Sequence, residues 1–301
     1  MISKRASWPV AFLFSEAGMA AQADRADWQL PPLREGYAAD ADLLERRIRA
    51  GGALSAPEYE QAIGGVRCLV VSPPGAIRTM LYFHGGGYRM GSPVAWLPYV
   101  TRLAEAAGAN VILPYYRLAP ENPFPAALHD AVAVYRALAE RGDVVLAGDS
   151  AGGGLALALG IVASQAGRAA AGVVLVSPML DFAASADTYE SRAGRDLLFS
   201  RQAVADCGAL YLQGHPVDDP LVSGIHADPE SVPPALVLVG GEEVLLGEAL
   251  HFVERLGRAD RAVTLHVAPG MGHVWPMMAP DTVEADNALG VIAAFVKSVW
   301  R

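Results

Sequence analysis

One serine in this chain of 301 residues lies among small residues, in a pattern suited to nucleophilic catalysis. Ser150 belongs to the stretch GDSAGGG (148–154), which follows the apolar run DVVLA and precedes LALALG. In the pattern G-x-S-x-G the serine lies on a strained strand-to-helix turn, and small neighbours let that turn approach other backbone. The alternative is a glycine-rich helix start that binds an anion. The strand-like run before Ser150 and the helix-like run after it favour a nucleophile.

A second glycine-rich stretch could stabilise the charge that such a nucleophile creates. Attack on an acyl carbon produces an oxyanion that needs two or three backbone N–H donors, each worth about 2.7–4 kcal/mol. The stretch HGGGY (84–88) follows another apolar run, and its three glycines leave the backbone uncovered. We predict that Gly86, Gly87 and Ala151, the residue after the nucleophile, donate to the oxyanion. His84 is predicted to bond nearby backbone in a structural role.

A nucleophilic serine also needs a base, and an acid that orients the base. Of the seven histidines, His273 lies in the glycine-rich stretch APGMGHVW, after the last predicted strand. A loop at the carboxyl edge of a sheet can bring a base to the serine, so His273 is predicted to be the base. The acid should come between serine and histidine in the chain. The stretch LVLVGGEEVLLGEAL offers Glu242 and Glu243, and spacing alone does not choose between them.

The rest of the chain alternates between short apolar runs and helical patterns. The runs contain β-branched residues, lie next to Gly, Pro or Asp, and are therefore predicted to be strands; they cover 66–71, 79–83, 109–113, 143–147, 172–176, 235–239 and 263–267. The helical patterns cover 93–107, 125–141, 151–166, 245–258 and 281–299. Strands that are apolar on both faces and alternate with helices predict an α/β fold, with a mostly parallel sheet and helices on both faces.

Two regions interrupt this alternation. Residues 1–60 have a helical pattern with several aromatic residues, and residues 180–232 form a long excursion with a helix near 200–213. Insertions of this length are too long to be plain loops in a compact domain. We predict that both regions form a helical cap. Residues 61–301 would then be the catalytic domain, with 180–232 inserted into it as part of the cap. Aromatic residues of the cap, with Tyr88 and Trp275 at the sheet edge, would line an apolar substrate pocket.

Composition limits the partners of this chain. Its formal charge of −9 and its lack of Lys/Arg runs argue against nucleic acid and anionic membranes as partners. The two cysteines, Cys68 and Cys207, show no metal-binding spacing and are predicted to be buried thiols in a reducing compartment. The N-terminus resembles a secretory signal, but its apolar run is short and contains Pro9. The uncharged segment 150–167 is better explained by the strand-to-helix turn than by a membrane span. A cytoplasmic protein without stable membrane insertion is expected.

Taken together, these motifs resemble those of the bacterial hormone-sensitive-lipase family of α/β-hydrolases. The resemblance runs from about residue 66 to the C-terminus, through HGGG, YRLAPENPFPAALHDAVAVY, GDSAGG and GMGHVW. It implies an α/β-hydrolase fold with an eight-stranded sheet and a helical cap. It also implies an acid at the start of a carboxylate-x-Leu element, which is Glu243 here. Many members have Asp-Pro-Leu at this element, so the chain departs in two residues and Glu242 stays an alternative. Arg117 and Glu121 are expected to form ion pairs within the scaffold.

The function implied is that of a serine carboxylesterase that uses Ser150, His273 and Glu243 and forms an acyl-enzyme intermediate. Such chemistry needs no metal and no organic cofactor. The expected substrates are short- to medium-chain acyl esters or lactones. Two alternatives remain: an acyltransferase or eliminating enzyme on the same residues, or a non-catalytic small-molecule receptor. A homodimer is possible, because relatives often pair through the last strand or helix.

Overall fold

The computed structural model describes residues 58–300, and the strands of this part of the chain form an eight-stranded sheet. The strands are β1 Glu58–Ile63, β2 Val66–Val71, β3 Arg78–Phe83, β4 Ala109–Pro114, β5 Val144–Asp149, β6 Gly172–Val176, β7 Ala235–Gly240 and β8 Val263–Ala268. Their order across the sheet is β1-β2-β4-β3-β5-β6-β7-β8. β1 and β2 pair antiparallel with their neighbours, and the strands from β4 to β8 are parallel. The predicted sheet is thereby confirmed.

Helices pack on both faces of this sheet. They are α1 Pro93–Ala107, α2 Ala126–Ala139, α3 Ala151–Gln165, α4 Thr188–Ser191, α5 Arg201–Leu212, α6 Leu246–Arg258, α7 Trp275–Met278 and α8 Val283–Val299. One apolar cluster contains residues of α1, α7 and α8, and the other contains residues of α2, α3, α5 and α6. Among the described residues, no helix has the length and apolar character that a membrane crossing requires.

The central strands are apolar throughout because they supply both clusters. In β5, Val144 and Leu146 face one cluster, whereas Val145 and Ala147 face the other. Burial of both faces removes the polar alternation of a half-exposed strand and leaves a continuous apolar run. The seven predicted strands consequently agree with the structure to within about two residues at each end.

β1 was not predicted from the sequence, and its composition explains why. Its residues EYEQAI form an exposed edge strand, in which only Ile63 is buried. An edge strand with charged residues on its exposed positions shows no apolar run. The domain boundary drawn at residue 60 therefore falls within a strand of the sheet. The cap helices predicted in 1–60 otherwise lie outside the described residues.

The excursion between β6 and β7 contains little regular structure. It holds α4, α5 and two short 3₁₀ turns, Gly224–His226 and Pro229–Ser231. The helix predicted near 200–213 is α5. The loop before α5 and the first turns of α5 lie at the carboxyl edge of the sheet, where they line the cavity described below.

That carboxyl edge gathers the motifs of the sequence. Parallel strands end at the same edge, so the loops that follow β3, β5, β6, β7 and β8 lie together. They carry His84–Gly87, Ser150, Ser177, Glu243 and His273, in that order. On the scaffold nearby, Arg117 pairs with the buried Asp130 of α2 at 3.0 Å, as expected of a structural ion pair.

Candidate active site

Ser150 occupies a strained turn between β5 and α3. Its φ of 52° and ψ of −122° lie outside the regions that L-residues normally adopt. The turn packs tightly against the end of β3: a Cβ atom on Gly152 would lie 2.1 Å from the carbonyl oxygen of Phe83. Glycine at 152 therefore permits this approach. The predicted nucleophile elbow has the geometry that its motif requires.

The structure brings the three predicted triad residues into one hydrogen-bonded chain. The Nδ1 atom of His273 lies 2.8 Å from Oε2 of Glu243, and its Nε2 atom lies 2.9 Å from Oγ of Ser150. Because a carboxylate can only accept, Nδ1–H donates to Glu243 and Nε2 accepts from the Ser150 hydroxyl. Glu243 is fully buried, and Ser150 and His273 are 4% and 8% exposed.

The neighbouring glutamate lies elsewhere. Glu242 is partly exposed and forms a salt bridge with Arg195, whose own side chain is half exposed. Glu243 instead accepts bonds from the Gly240 amide and the Ser177 hydroxyl through Oε1, besides the bond from His273 through Oε2. Of the two glutamates that the spacing left open, Glu243 is therefore the one that contacts His273.

Ser177 connects Glu243 to the loop that carries His273, a contact that was not predicted from the sequence. Its hydroxyl donates to Oε1 of Glu243 at 2.6 Å and accepts from the Val274 amide at 3.0 Å. Its backbone has a φ of 46°, and its amide donates to Leu238 of β7. The one feature of the sequence that pointed to Ser177 was its position directly after β6. A serine at the end of a strand is too common for that position to identify a functional residue.

The surroundings of His273 favour its charged form. Burial opposes the charge, but the hydrogen bond and negative charge of Glu243, and the charges of Asp196 and Asp149, outweigh burial and raise the pKa of His273 above its ordinary 6.5. The ring of Phe199 stacks on the imidazole with centroids 5.2 Å apart. The site therefore stabilises an imidazolium, which a general base becomes once it has taken a proton.

The glycine loop after β3 presents free donors to the site. The carbonyl of Gly86 accepts bonds from the Arg89 and Met90 amides, which close the loop into a turn. Gly86 has a φ of 115°, a value that other residues rarely adopt. Within residues 58–300, the N–H groups of Gly86, Gly87 and Ala151 have no hydrogen-bond acceptor. These are the three donors predicted for the oxyanion, and Gly86 and Gly87 line the same cavity as Ser150.

His84 and Asp149 both contact this loop at Gly85. His84 is buried, its Nδ1 bonds the Gly85 carbonyl at 2.8 Å, and burial lowers its pKa to about 4. It thus has the structural contact expected of it. Asp149 accepts bonds from Tyr82, Gly85 and Trp96, and no role was predicted for it from the sequence.

A cavity of about 190 Å³ opens beside Ser150 and His273. Most of its wall is apolar or weakly polar, and Arg89 and Asp149 add charged groups. The weakly polar and apolar lining residues are Met90, Trp96, Leu198, Phe199, Ala203, Cys207, Val274, Met277 and Met278. Cys68 and Cys207 are both buried free thiols, as predicted. No cluster of His, Cys, Asp or Glu in residues 58–300 is arranged to hold a metal.

Two predicted substrate-binding residues do not line this cavity. Tyr88 is 1% exposed and stacks on Tyr211 with centroids 3.8 Å apart. Trp275 is 2% exposed, and its indole N–H donates to the Glu284 carbonyl. Both side chains pack into the interior and neither lines the cavity beside Ser150, so the described residues give no support to the prediction that they contact substrate. An aromatic residue near a motif is as often a packing residue, and sequence position does not give the direction of its ring.

Comparisons with known proteins identify relatives of this chain. Residues 80–277 match the model of a family with the alpha/beta hydrolase fold. An acetyl-hydrolase of Streptomyces hygroscopicus is 40% identical over 226 aligned residues, which cover 73% of this chain and 76% of the acetyl-hydrolase. An esterase of Acinetobacter venetianus is 34% identical over 230 aligned residues, which cover 74% of this chain and 76% of the esterase. The crystal structure of an esterase from the bacterial hormone-sensitive lipase family superposes with a TM-score of 0.83 at 33% identity, covering 97% of this chain and 99% of that one.

The matched residues 80–277 include Gly86, Ser150, Glu243 and His273, so the family match covers the part of the chain that builds the site. The resemblance seen in the motifs and the predicted enzyme class are confirmed. The chain belongs to the bacterial hormone-sensitive-lipase family of α/β-hydrolases and is an esterase of the serine hydrolase type.

Proposed function

We propose that this chain hydrolyses carboxylic esters with Ser150 as nucleophile, His273 as general base and Glu243 as the acid that orients His273. The observation that carries the proposal is the continuous chain of two hydrogen bonds, 2.9 and 2.8 Å long, from the Ser150 hydroxyl to the Glu243 carboxylate. The buried acid fixes the tautomer in which Nε2 can accept a proton.

The reaction would proceed in two halves. Oγ of Ser150 attacks the ester carbonyl while its proton passes to Nε2 of His273. The N–H groups of Gly86, Gly87 and Ala151 bind the oxyanion of the tetrahedral intermediate. The carbon–oxygen bond to the alcohol then breaks, and His273 returns the proton to the leaving alkoxide. Water, deprotonated by His273, releases the acyl group from Ser150 by the same steps in reverse.

The substrates proposed are short- to medium-chain acyl esters or lactones. The cavity of about 190 Å³ is smaller than the ~300–1,000 Å³ of pockets that hold drug-sized ligands. The Streptomyces relative is named for acetyl hydrolysis. Because Leu198, Phe199, Ala203 and Cys207 of the 180–232 segment line the cavity, we propose that this segment forms part of a cap that selects the acyl group.

Steady-state kinetics with p-nitrophenyl acetate and butyrate would test this function. We expect turnover in the native protein and its loss in Ser150→Ala, with an unchanged circular dichroism spectrum. Turnover that persists in Ser150→Ala would refute the proposal. Absence of turnover in the native protein, on a panel of esters and lactones, would favour a receptor. Products formed with and without an added alcohol separate a hydrolase from an acyltransferase.

A further inference from the structure

Asp149 takes no part in the mechanism above, yet it connects three elements around the nucleophile. A single oxygen, Oδ1, accepts bonds from the Tyr82 hydroxyl at 2.8 Å, the Gly85 amide at 3.0 Å and the Trp96 indole at 2.8 Å. Tyr82 belongs to β3, Gly85 to the loop of the oxyanion donors and Trp96 to α1. The residue before the nucleophile is thus bonded to the loop that faces the nucleophile.

The environment of Asp149 is costly for a carboxyl group. Its side chain is buried, and the three donors on Oδ1 are neutral groups. Burial raises its pKa to about 7, against the opposing influence of Tyr82, Trp96, the charge of His273 and Gly85. A buried carboxyl that is hydrogen-bonded only by neutral donors destabilises a fold more than an apolar residue of similar size. Such a departure beside a nucleophile is where a functional reason is expected.

The loop is shaped around this carboxyl group. A Cβ atom on Gly85 would lie 2.3 Å from Oδ2 of Asp149, so glycine at this position permits the close contact. Gly85 donates its amide to Asp149, whereas the next two amides, of Gly86 and Gly87, have no acceptor in the described part of the chain. The first of three consecutive N–H groups is therefore anchored, and the other two are left to face the site.

We propose that Asp149 is a positioning residue for oxyanion stabilisation, which anchors Gly85 and thereby fixes the Gly86 and Gly87 amides relative to Ser150. The inference rests on the proposed function, because it assigns those amides to the oxyanion. A displacement of about 1 Å in such donors can lower the rate about 100-fold, so the anchor should act on kcat more than on substrate binding.

Three variants test the anchor. In Asp149→Asn the amide oxygen can still accept the three bonds, whereas Asp149→Ala has no acceptor. Asp143→Asn, at an exposed position directly before β5, is the matched control. For each, kcat and KM are measured with p-nitrophenyl butyrate, together with the inhibition constant of a trifluoromethyl ketone, which binds serine hydrolases as a tetrahedral oxyanion adduct. Circular dichroism verifies folding.

The expected pattern separates positioning from a merely structural role. Asp149→Ala should lose about 10–100-fold in kcat with KM changed less than about threefold, and the ketone should bind weaker in proportion to kcat/KM. Asp149→Asn should restore kcat to within about fivefold of the native value, since Oδ1 remains an acceptor. Unchanged kcat in a folded Asp149→Ala, or equal losses in Asn and Ala variants, would overturn the inference.

Gly85→Ala perturbs the contact between Gly85 and Asp149 from the side of the loop. It tests the same inference if Asp149→Ala does not fold. Its Cβ would push the loop from Asp149, so it should also lower kcat and ketone affinity together while KM stays constant. Native kinetics in Gly85→Ala would contradict the anchor. A native protein without ester turnover would refute the proposed function, whereas an active native protein with an equally active Asp149→Ala would refute the anchor alone.

Discussion

Replacing Glu243 with glutamine should almost abolish turnover, because the structure dictates which way the new amide must face. In the native protein Oε1 accepts from the Ser177 hydroxyl and the Gly240 amide, while Oε2 accepts from Nδ1 of His273. A glutamine has one oxygen and one NH₂ group. With its oxygen placed at the two donors, its NH₂ group faces His273 and donates to Nδ1.

That orientation gives the histidine the wrong tautomer. Nδ1 must then accept, so the proton moves to Nε2, which can no longer accept from Ser150 at 2.9 Å. The opposite orientation would place NH₂ against the Gly240 N–H and leave buried donors unpaired, at a cost of about 1–3 kcal/mol. We therefore expect kcat of Glu243→Gln to fall about 10³–10⁴-fold, or about 4–5.5 kcal/mol in the barrier.

Glu242→Gln is the matched control, since it removes the adjacent charge and only breaks the salt bridge with Arg195. Its kcat should stay within about threefold of the native value, because partly exposed ion pairs contribute little. Both variants would be assayed with p-nitrophenyl butyrate at pH values above the His273 pKa. A Glu243→Gln enzyme with near-native kcat, or a larger loss in Glu242→Gln, would refute the reasoning.

Four further outcomes follow. His273 must be neutral to accept a proton, and its pKa is raised above 6.5. The value of kcat/KM should therefore fall as the pH is lowered through the His273 pKa, at a pH above 6.5. A pH–rate profile in which kcat/KM does not fall on the acid side contradicts this. Ser177→Ala removes the donor to Glu243 and the acceptor of the Val274 amide, and should lower the free energy of unfolding by about 1–3 kcal/mol in urea titrations. Gly86→Ala would place a Cβ 2.2 Å from the Met90 carbonyl oxygen at a φ of 115°, so kcat should drop at least about 100-fold; a smaller loss argues against this donor. The small cavity should give higher kcat/KM for p-nitrophenyl butyrate than for the laurate ester, and the reverse order would require a larger pocket.

Local patterns were enough to predict the parts of this site that depend on backbone. The turn at Ser150 and the loop at Gly86 need glycine neighbours for steric reasons, so their motifs appear directly in the sequence. The buried strands were predicted because both of their faces are apolar. β1 was missed because exposed residues dominate it.

Contacts between distant side chains could not be predicted in the same way. Glu242 and Glu243 are identical in type and adjacent, and only the path of the chain after β7 decides which one faces His273. The contacts of Ser177 and Asp149 cross 66 and 64 residues of sequence, to Glu243 and Gly85 respectively. The directions of the Tyr88 and Trp275 side chains likewise depend on packing that periodicity does not encode.

The most direct test of the account is covalent labelling of the native protein with diethyl p-nitrophenyl phosphate. We expect release of about one p-nitrophenol per chain, loss of ester turnover in proportion to labelling, and a phosphorylated peptide that contains Ser150. Ser150→Ala should release none. Full labelling that leaves turnover intact, or a label on another residue accompanied by the loss of activity, would contradict it.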